Sequence, residues 1–306
     1  MRVQKTERGK KMSNYVLSTC STLDKSIDYV TKRNIEYIKF VFLTDGKENL
    51  DDLGQTIPAD KFYQMMRDGV ETKTSQPNVD DYRIYFEKFL SEGKDVIHLN
   101  LSSGLSGAQT SAKIAREELL EKYPERKLYV IDSLGASSGM GLLVDKMADL
   151  RDEGMSIDDL ARWTEENKLK LHHWFFSTDL SFYVKGGRVS KVAGWFGTIL
   201  NICPLLNMDN NGKLIPRQKI RGKSNVIKEI VKKMEQNADN GLNYSEKCFI
   251  SHADSYEDAK AVADIVESKF PHLNGKVEIN NIGTTIGSHS GPGTVALFFF
   301  GNKRND

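Results

Sequence analysis

The chain has 306 residues, 39% of them hydrophobic and 28% charged, with 43 basic and 42 acidic side chains giving a formal net charge of +1. That is the composition of an ordinary globular chain, long enough for one large or two ordinary domains. The balanced charge gives no global reason to expect a polyanionic or membrane partner.

Cys20, Cys203 and Cys248 are odd in number, far apart and form no CxxC pair. Neither a zinc knuckle nor a disulfide framework is expected, and a reducing cytoplasm fits best. The N-terminus lacks the apolar segment of a secretory signal. Its Arg2, Lys5, Arg8, Lys10 and Lys11 read as a disordered basic extension over residues 1–12, a nucleic-acid or membrane arm being the alternative.

From residue 12 onward strand-like and helix-like patterns alternate. Tyr15 to Ser18 reads as a short strand, with Asp24 capping the helix that follows. Ile35 to Leu43 reads as one strand, and Pro58 opens a helix through Asp68. Asn78 and Asp81 form a capping pair for a helix ending near Ser91. Val96 to Leu101 is a buried strand, a long helix ends at Lys122, Leu128 to Ile131 is the next strand, and a Gly-rich helix spans Ser137 to Arg151. This alternation predicts an α/β fold with a parallel sheet in the first part. Gly154 marks a boundary, dividing the chain into an N-terminal α/β domain over 13–155 and a mixed α/β C-terminal domain over 156–306.

In the second part, Ser156 and Asp159 open a helix to about Lys168, and His173 to Ser177 is a strand. Val189 to Leu206 is the most apolar run of the chain. Lys191, Asn201 and Pro204 interrupt it, so it is not expected to span a bilayer. Its first part reads as a helix that is either buried core or the lining of a ligand site. Asn210-Asn211-Gly212 is a hairpin turn between Leu205–Met208 and Leu214–Arg217. Helices over Lys223–Asn237 and Tyr256–Lys269 and strands over Lys247–Ser251, Val277–Ile282 and Val295–Phe300 complete the chain.

Four segments carry candidate chemistry. Thr74-Ser75-Gln76-Pro77 offers two hydroxyls in a loop, or is a plain turn. Ser102-Ser103-Gly104-Leu105-Ser106-Gly107 joins the carboxyl end of a strand to a helix start, where ligands sit in parallel α/β sheets and where backbone N–H groups suit a carboxylate or phosphate. Lys185-Gly186-Gly187-Arg188 places a cation at the mouth of whatever the apolar run lines. Gly287-Ser288-His289-Ser290-Gly291-Pro292-Gly293 reads as a loop allowing close backbone approach, with His289 able to donate to an anion. Several enzyme motifs are excluded. Gly222-Lys223-Ser224 has Arg217 where a Walker A loop needs Gly. Gly104-Leu105-Ser106-Gly107 is not a nucleophile elbow, and Gly139-Met140-Gly141 lacks the third glycine of a dinucleotide fingerprint.

Taken in order, these segments, with Asp132-Ser133 and Lys219-Ile220-Arg221-Gly222-Lys223, resemble the DegV family, which includes the fatty-acid-binding subunits of bacterial fatty acid kinase. The resemblance implies a two-domain DegV-like fold with a long-chain fatty acid held between and within the domains, no cofactor and no metal, and no catalytic residue of its own. The fatty acid's carboxylate would be presented to a partner ATP-dependent kinase for acyl phosphate formation. Thr74, Ser106, Arg188 and His289 would hold the carboxylate, supported by Ser75, Ser103, Gly107 and Ser21. Arg221 would face the phosphate and the partner. Val192, Trp195, Phe196, Ile199 and Leu200 would line the acyl chain, with Val189, Ala193 and Ile202 also available. One departure is that Ser18-Thr19-Cys20-Ser21 stands where the family usually has an Asp-Ser pair. The alternative reading is a stand-alone hydrolase or phosphoryl-transfer enzyme using Ser106 and His289.

Overall fold

A computed structural model describes residues 15–189 and 201–304. The chain opens with β1 (Tyr15–Cys20), α1 (Ile27–Lys32) and β2 (Ile35–Ile38), then β3 (Val41–Thr44), β4 (Lys47–Leu50), α2 (Ala59–Arg67), β5 (Thr72–Ser75), α3 (Val79–Leu90), β6 (Asp95–Asn100), α4 (Ala108–Lys122), β7 (Leu128–Asp132) and α5 (Ser137–Asp152). After α6 (Ile157–Asn167) come β8 (Leu171–Ser177), α7 (Ser181–Lys185), β9 (Ile202–Met208), β10 (Leu214–Arg221), α8 (Lys223–Asn237), β11 (Phe249–His252), α9 (Tyr256–Lys269), β12 (Glu278–Asn281), α10 (Thr284–Ser290) and β13 (Thr294–Phe300).

The first sheet is parallel throughout, in the order β2-β1-β6-β7. The second is mixed, in the order β10-β9-β8-β13-β11-β12, antiparallel except for β11 with β12. A small antiparallel sheet, β4-β3-β5, stands beside them. The α/β class with one parallel and one mixed sheet is the one the sequence predicts.

Helix α5 joins the two large sheets. Twelve of its residues, from Ser137 to Arg151, are buried, as expected of a helix with apolar or small residues on every face. It packs on β1 and also on β8, β11 and β13. One contiguous apolar core therefore runs from Leu17, Ile97 and Leu99 of the first sheet through Met140, Leu143 and Val144 to Phe175, Ala296 and Phe298 of the second.

Several elements differ from the sequence reading. The strand expected over Ile35 to Leu43 is two strands in two sheets. The chain leaves the first sheet at the buried Phe40, whose N–H is taken by Ser21 Oγ at 3.1 Å and whose carbonyl accepts from Asp51 N at 2.9 Å. Asp24 does not cap α1; Ser26 does, accepting from Tyr29 N. Thr74 and Ser75, read as loop, lie on β5, which pairs with β3 so that Thr74 sits opposite Phe42. Ile202, read as part of the apolar helical run, begins β9. Helix α6, placed by sequence at the head of the second domain, packs on α5, β6 and β7 of the first sheet.

The segment around His289 is also not a loop up to Ser290. It forms α10, a short helix closed by Gly291 at φ 67° and ψ 171°, a positive-φ extended conformation that glycine alone adopts readily. A Cβ on Gly287 would stand 2.6 Å from Tyr63 Oη and 2.9 Å from the Phe62 ring. Both rings are fully buried, and Tyr63 donates to Ile282 O at 2.9 Å, so neither can yield cheaply. Gly287→Ala is expected to destabilise the protein by about 1–3 kcal/mol through overpacking, measured as a lowered denaturant midpoint at unchanged slope.

Candidate functional site

A cavity of about 300 Å³ lies between the two large sheets and beneath α10. Its apolar wall comes from both sides: Phe40, Leu101 and Leu105 from the first, Phe175, Met208 and Phe298 from the second. Thr74, Ser75, Gln76, Ser106, Arg188 and His289 also line it. Thr74, Ser106, Arg188 and His289, the four residues expected from sequence to hold a carboxylate, thus meet at one cavity, although 215 positions separate the first and last of them in the chain.

Each is placed by a different element. Thr74 extends from the end of β5, and its Oγ1 is 2.7 Å from His289 Nε2 at the last turn of α10. Ser106 precedes α4, accepts from Ala108 N at 3.2 Å and donates to Gln76 Oε1 at 2.8 Å. Its loop is braced by the hairpin between β9 and β10, through Ser102 Oγ donating to Gly212 O at 2.8 Å. Arg188, just past α7, donates from Nε to Leu105 O at 3.2 Å and from Nη1 to Gly186 O. Gly186 is needed where it is: a Cβ there would stand 2.3 Å from His289 Nδ1.

The electrostatics favour an anion. Burial lowers the Arg188 pKa, yet an Arg stays charged. Among the described residues it has only carbonyl partners and forms no ion pair with a carboxylate. Burial, and next the neighbouring Arg188 charge, bring His289 down to about 4, so at neutral pH the imidazole is uncharged. Its Nδ1 is buried with no hydrogen-bond partner among the described residues. The cavity mouth therefore holds one guanidinium with donors to spare, two hydroxyls and a neutral imidazole.

The supporting residues divide. Ser75 lines the mouth and is exposed. Ser103 and Gly107 are exposed and do not line the cavity; Ser103 N instead donates to Asp132 Oδ1 at 3.2 Å. Ser21 is buried, occupied with Phe40 N, and faces a second, separate cavity with Asp24 and Asp51. Ser103, Gly107 and Ser21 thus stand outside the lining of this cavity. Arg221 is exposed and outside the cavity, at the far end of β10 from Leu214, which lines it. Val192, Ala193, Trp195, Phe196, Ile199 and Leu200 lie outside the described residues. Val189 is buried in the core beside Tyr183.

The sequence reading missed Gln76, Tyr183, Ser290 and the walls provided by β8 and β13. Gln76 carried a signal, standing in the same four-residue segment as Thr74. The wall residues carried none, because an inward Phe on a strand is read as core whether it meets a cavity or another side chain. Among the described residues no cluster of three His, Cys, Asp or Glu is placed to hold a metal ion, and no helix is long and apolar enough to cross a membrane.

A two-lobed α/β protein with an apolar cavity and an anion-favouring mouth is the class these features define. Residues 17–302 match the family described as "Uncharacterised protein, DegV family COG1307", and the chain belongs to the DegV family. A DegV domain-containing protein of Clostridium perfringens is 35% identical over 294 residues, covering 96% of this chain and 99% of that one. Among solved structures, a hypothetical protein of Thermotoga maritima said to reveal a fatty acid binding function is 27% identical with a TM-score of 0.79, covering 94% of this chain and 99% of the other. A DegV family protein of Thermus thermophilus, described by its fatty acid binding, is 25% identical with a TM-score of 0.83 over the same shares.

A carboxylate entering beside Arg188 would offset the charge that helps depress His289 and would favour the imidazolium. The His289 ring is therefore expected to titrate near 4 in the free protein and at a higher pH with a carboxylate bound, as read from its imidazole NMR shifts. Protons are then taken up on binding between the two values, so acidification from neutral pH toward 5 should strengthen capture of an ionised carboxylate.

Proposed function

We propose that this protein binds one long-chain fatty acid in the cavity, grips its carboxylate with Thr74, Ser106, Arg188 and His289, and presents that group to a separate ATP-dependent kinase, with no catalysis of its own. The observation that carries the reading is the convergence of these four side chains on the mouth of an apolar cavity. The fatty-acid-binding descriptions of the Thermotoga and Thermus relatives support the ligand class. The kinase partner rests on the family resemblance and on the lack of a nucleotide loop in the sequence.

The energetics fit such a ligand. About fifteen methylenes at ~0.8 kcal/mol each gain ~12 kcal/mol on leaving water, a margin that survives the cost of association. A buried carboxylate opposes binding unless it is hydrogen-bonded, and the mouth supplies the donors. Arg221, exposed at the end of β10, would meet the phosphate or the partner rather than the lipid. A cytoplasmic location suits a carrier that meets an ATP-dependent partner.

A stand-alone hydrolase finds less support. Ser106 donates to Gln76 and His289 bonds Thr74, so neither described contact makes His289 the base of a Ser106 nucleophile.

Native mass spectrometry of protein purified from cells is expected to show one co-purified long-chain acid, and an empty protein that also ignores added palmitate would refute the reading. Thr74→Ala and Ser106→Ala should each weaken palmitate binding by about 1.5–3 kcal/mol, the cost of one hydrogen bond to a charged group, with circular dichroism unchanged. Arg221→Ala should retain lipid but lower the rate of acyl phosphate formation with the kinase. Loss of lipid with normal phosphorylation per bound molecule would reverse that assignment.

A further inference from the structure

The two hydroxyls that face a ligand at the cavity mouth are not in the same state. A serine or threonine hydroxyl has one proton to donate and two lone pairs to accept with. Ser106 Oγ accepts from Ala108 N at 3.2 Å and donates its proton to Gln76 Oε1 at 2.8 Å. In that pairing it has nothing to donate to a carboxylate, which is an acceptor only. Thr74 differs. Its Oγ1 is 2.7 Å from His289 Nε2, and an imidazole protonated at Nε2 donates to it and leaves the threonine proton for a ligand. Ser106 and Gln76 are both half-buried and line the cavity, so each is open to a ligand atom. A Cβ on Gly107 would stand 2.9 Å from Gln76 Nε2 and 3.1 Å from its Oε1. The polar end of the amide therefore lies flat over Gly107, and a half-turn about its last side-chain bond exchanges the two atoms without displacing the rest of the side chain.

We infer that Gln76 is a positioning residue that turns Ser106 from a self-satisfied hydroxyl into a carboxylate donor. This role rests on the proposed fatty-acid function and refines its head-group site. With the amide turned over, Nε2 donates to Ser106 Oγ. The serine then accepts from Gln76 Nε2 and from Ala108 N, which fills both lone pairs, and its proton is released to the carboxylate. Every donor and acceptor of the serine is used, as the capture of a desolvated carboxylate requires. Gln76 is half-buried, so water can serve the amide atom that faces away. In the ligand-free state the same amide accepts the serine proton through Oε1, so Ser106 is satisfied both before and after binding. Of the polar side chains of this length, only an amide carries a donor and an acceptor on one planar end. An ionised glutamate in its place accepts only; it would hold the serine proton permanently and repel the incoming acid.

The test is a double-mutant cycle on delipidated full-length protein, read as palmitate affinity by isothermal titration calorimetry. Ser106→Ala is expected to weaken binding about tenfold or more in the wild-type background. In the Gln76→Glu background, where the serine proton is held, the same change should cost less than about twofold. Gln76→Met neither holds the serine proton nor adds a charge, and should stay within about fivefold of the wild type. A second readout is the side-chain amide of Gln76 by ¹H–¹⁵N NMR: palmitate should shift one amide proton downfield as it bonds Ser106 Oγ, and Ser106→Ala should abolish that shift. If Ser106→Ala costs the same in both backgrounds, Gln76 does not act through Ser106 and the role is overturned, with the fatty-acid function left standing. A downfield shift that persists in Ser106→Ala, together with a tenfold loss in Gln76→Met, would place the amide directly on the carboxylate and also overturn it. Failure of the wild type to bind palmitate at all would remove the fatty-acid reading and this role with it. The NMR titration of the wild type stands whether or not every variant folds, and unchanged melting temperatures show which variants report the site.

Discussion

Everything at the cavity mouth depends on how α10 is held by its N-terminus. Gly283 stands at the cap position and has no side chain to offer. Two buried carboxylates from the other end of the chain take over: Asp24 accepts from Gly283 N at 2.9 Å, and Asp51 accepts from Thr285 Oγ1 at 2.6 Å and from Thr285 N at 3.4 Å. Burial pushes the pKa of both acids up, against the hydrogen bonds that Ser137 and Gly283 donate to Asp24 and that Thr285 donates to Asp51. Each of these contacts is donated to the carboxylate, and the helix start adds its positive end. A helix of seven residues does not persist by itself. Fixed at two points of its first turn, α10 can adopt one rotation, and that rotation carries His289 to Thr74.

The stretch that departs from the Asp-Ser pair expected by resemblance stands apart from the cavity. Thr19 and Cys20 are both fully buried in the first sheet. Thr19 Oγ1 donates to Leu99 O at 2.9 Å, and Cys20 Sγ lies 3.2 Å from Thr22 Oγ1, with burial pushing its thiol up to about 11. Neither side chain lines the main cavity. The acid that works nearby is Asp24, five residues further on, and it acts on α10 rather than on a ligand. Lys25 beside it is turned to Glu278 of β12 and to the faces of Tyr29 and Phe249. This short stretch after β1 thus ties the first lobe to the second.

Strong local signals were legible in the sequence. Asn78 and Asp81 form a reciprocal capping box, Asn210-Asn211-Gly212 turns a hairpin, and α9 spans Tyr256–Lys269 as its periodicity predicts. Elements set by tertiary contacts were not legible. Nothing in Ile35–Leu43 shows that Phe40 will give its N–H to a serine nineteen residues earlier. Nothing in Gly287–Ser290 shows a helix, because two distant carboxylates, rather than propensity, nucleate it. Four residues that line the cavity mouth were readable by type and order, but their partners were not. Gln76 as acceptor for Ser106 and Ser290 as an unpaired hydroxyl follow only from the packing of β5, α4 and α10 against one another.

Charge and apolar surface divide the labour at this cavity, and their magnitudes differ. In the proposed complex the ~12 kcal/mol of a buried acyl chain supplies affinity but no register, because one methylene resembles the next. Register has to come from the head, where, among the described residues, the guanidinium has only carbonyl partners and the imidazole is neutral. In the proposed complex a carboxylate monoanion would balance the guanidinium charge, with the hydroxyls and the imidazole of the mouth placed to fix its position.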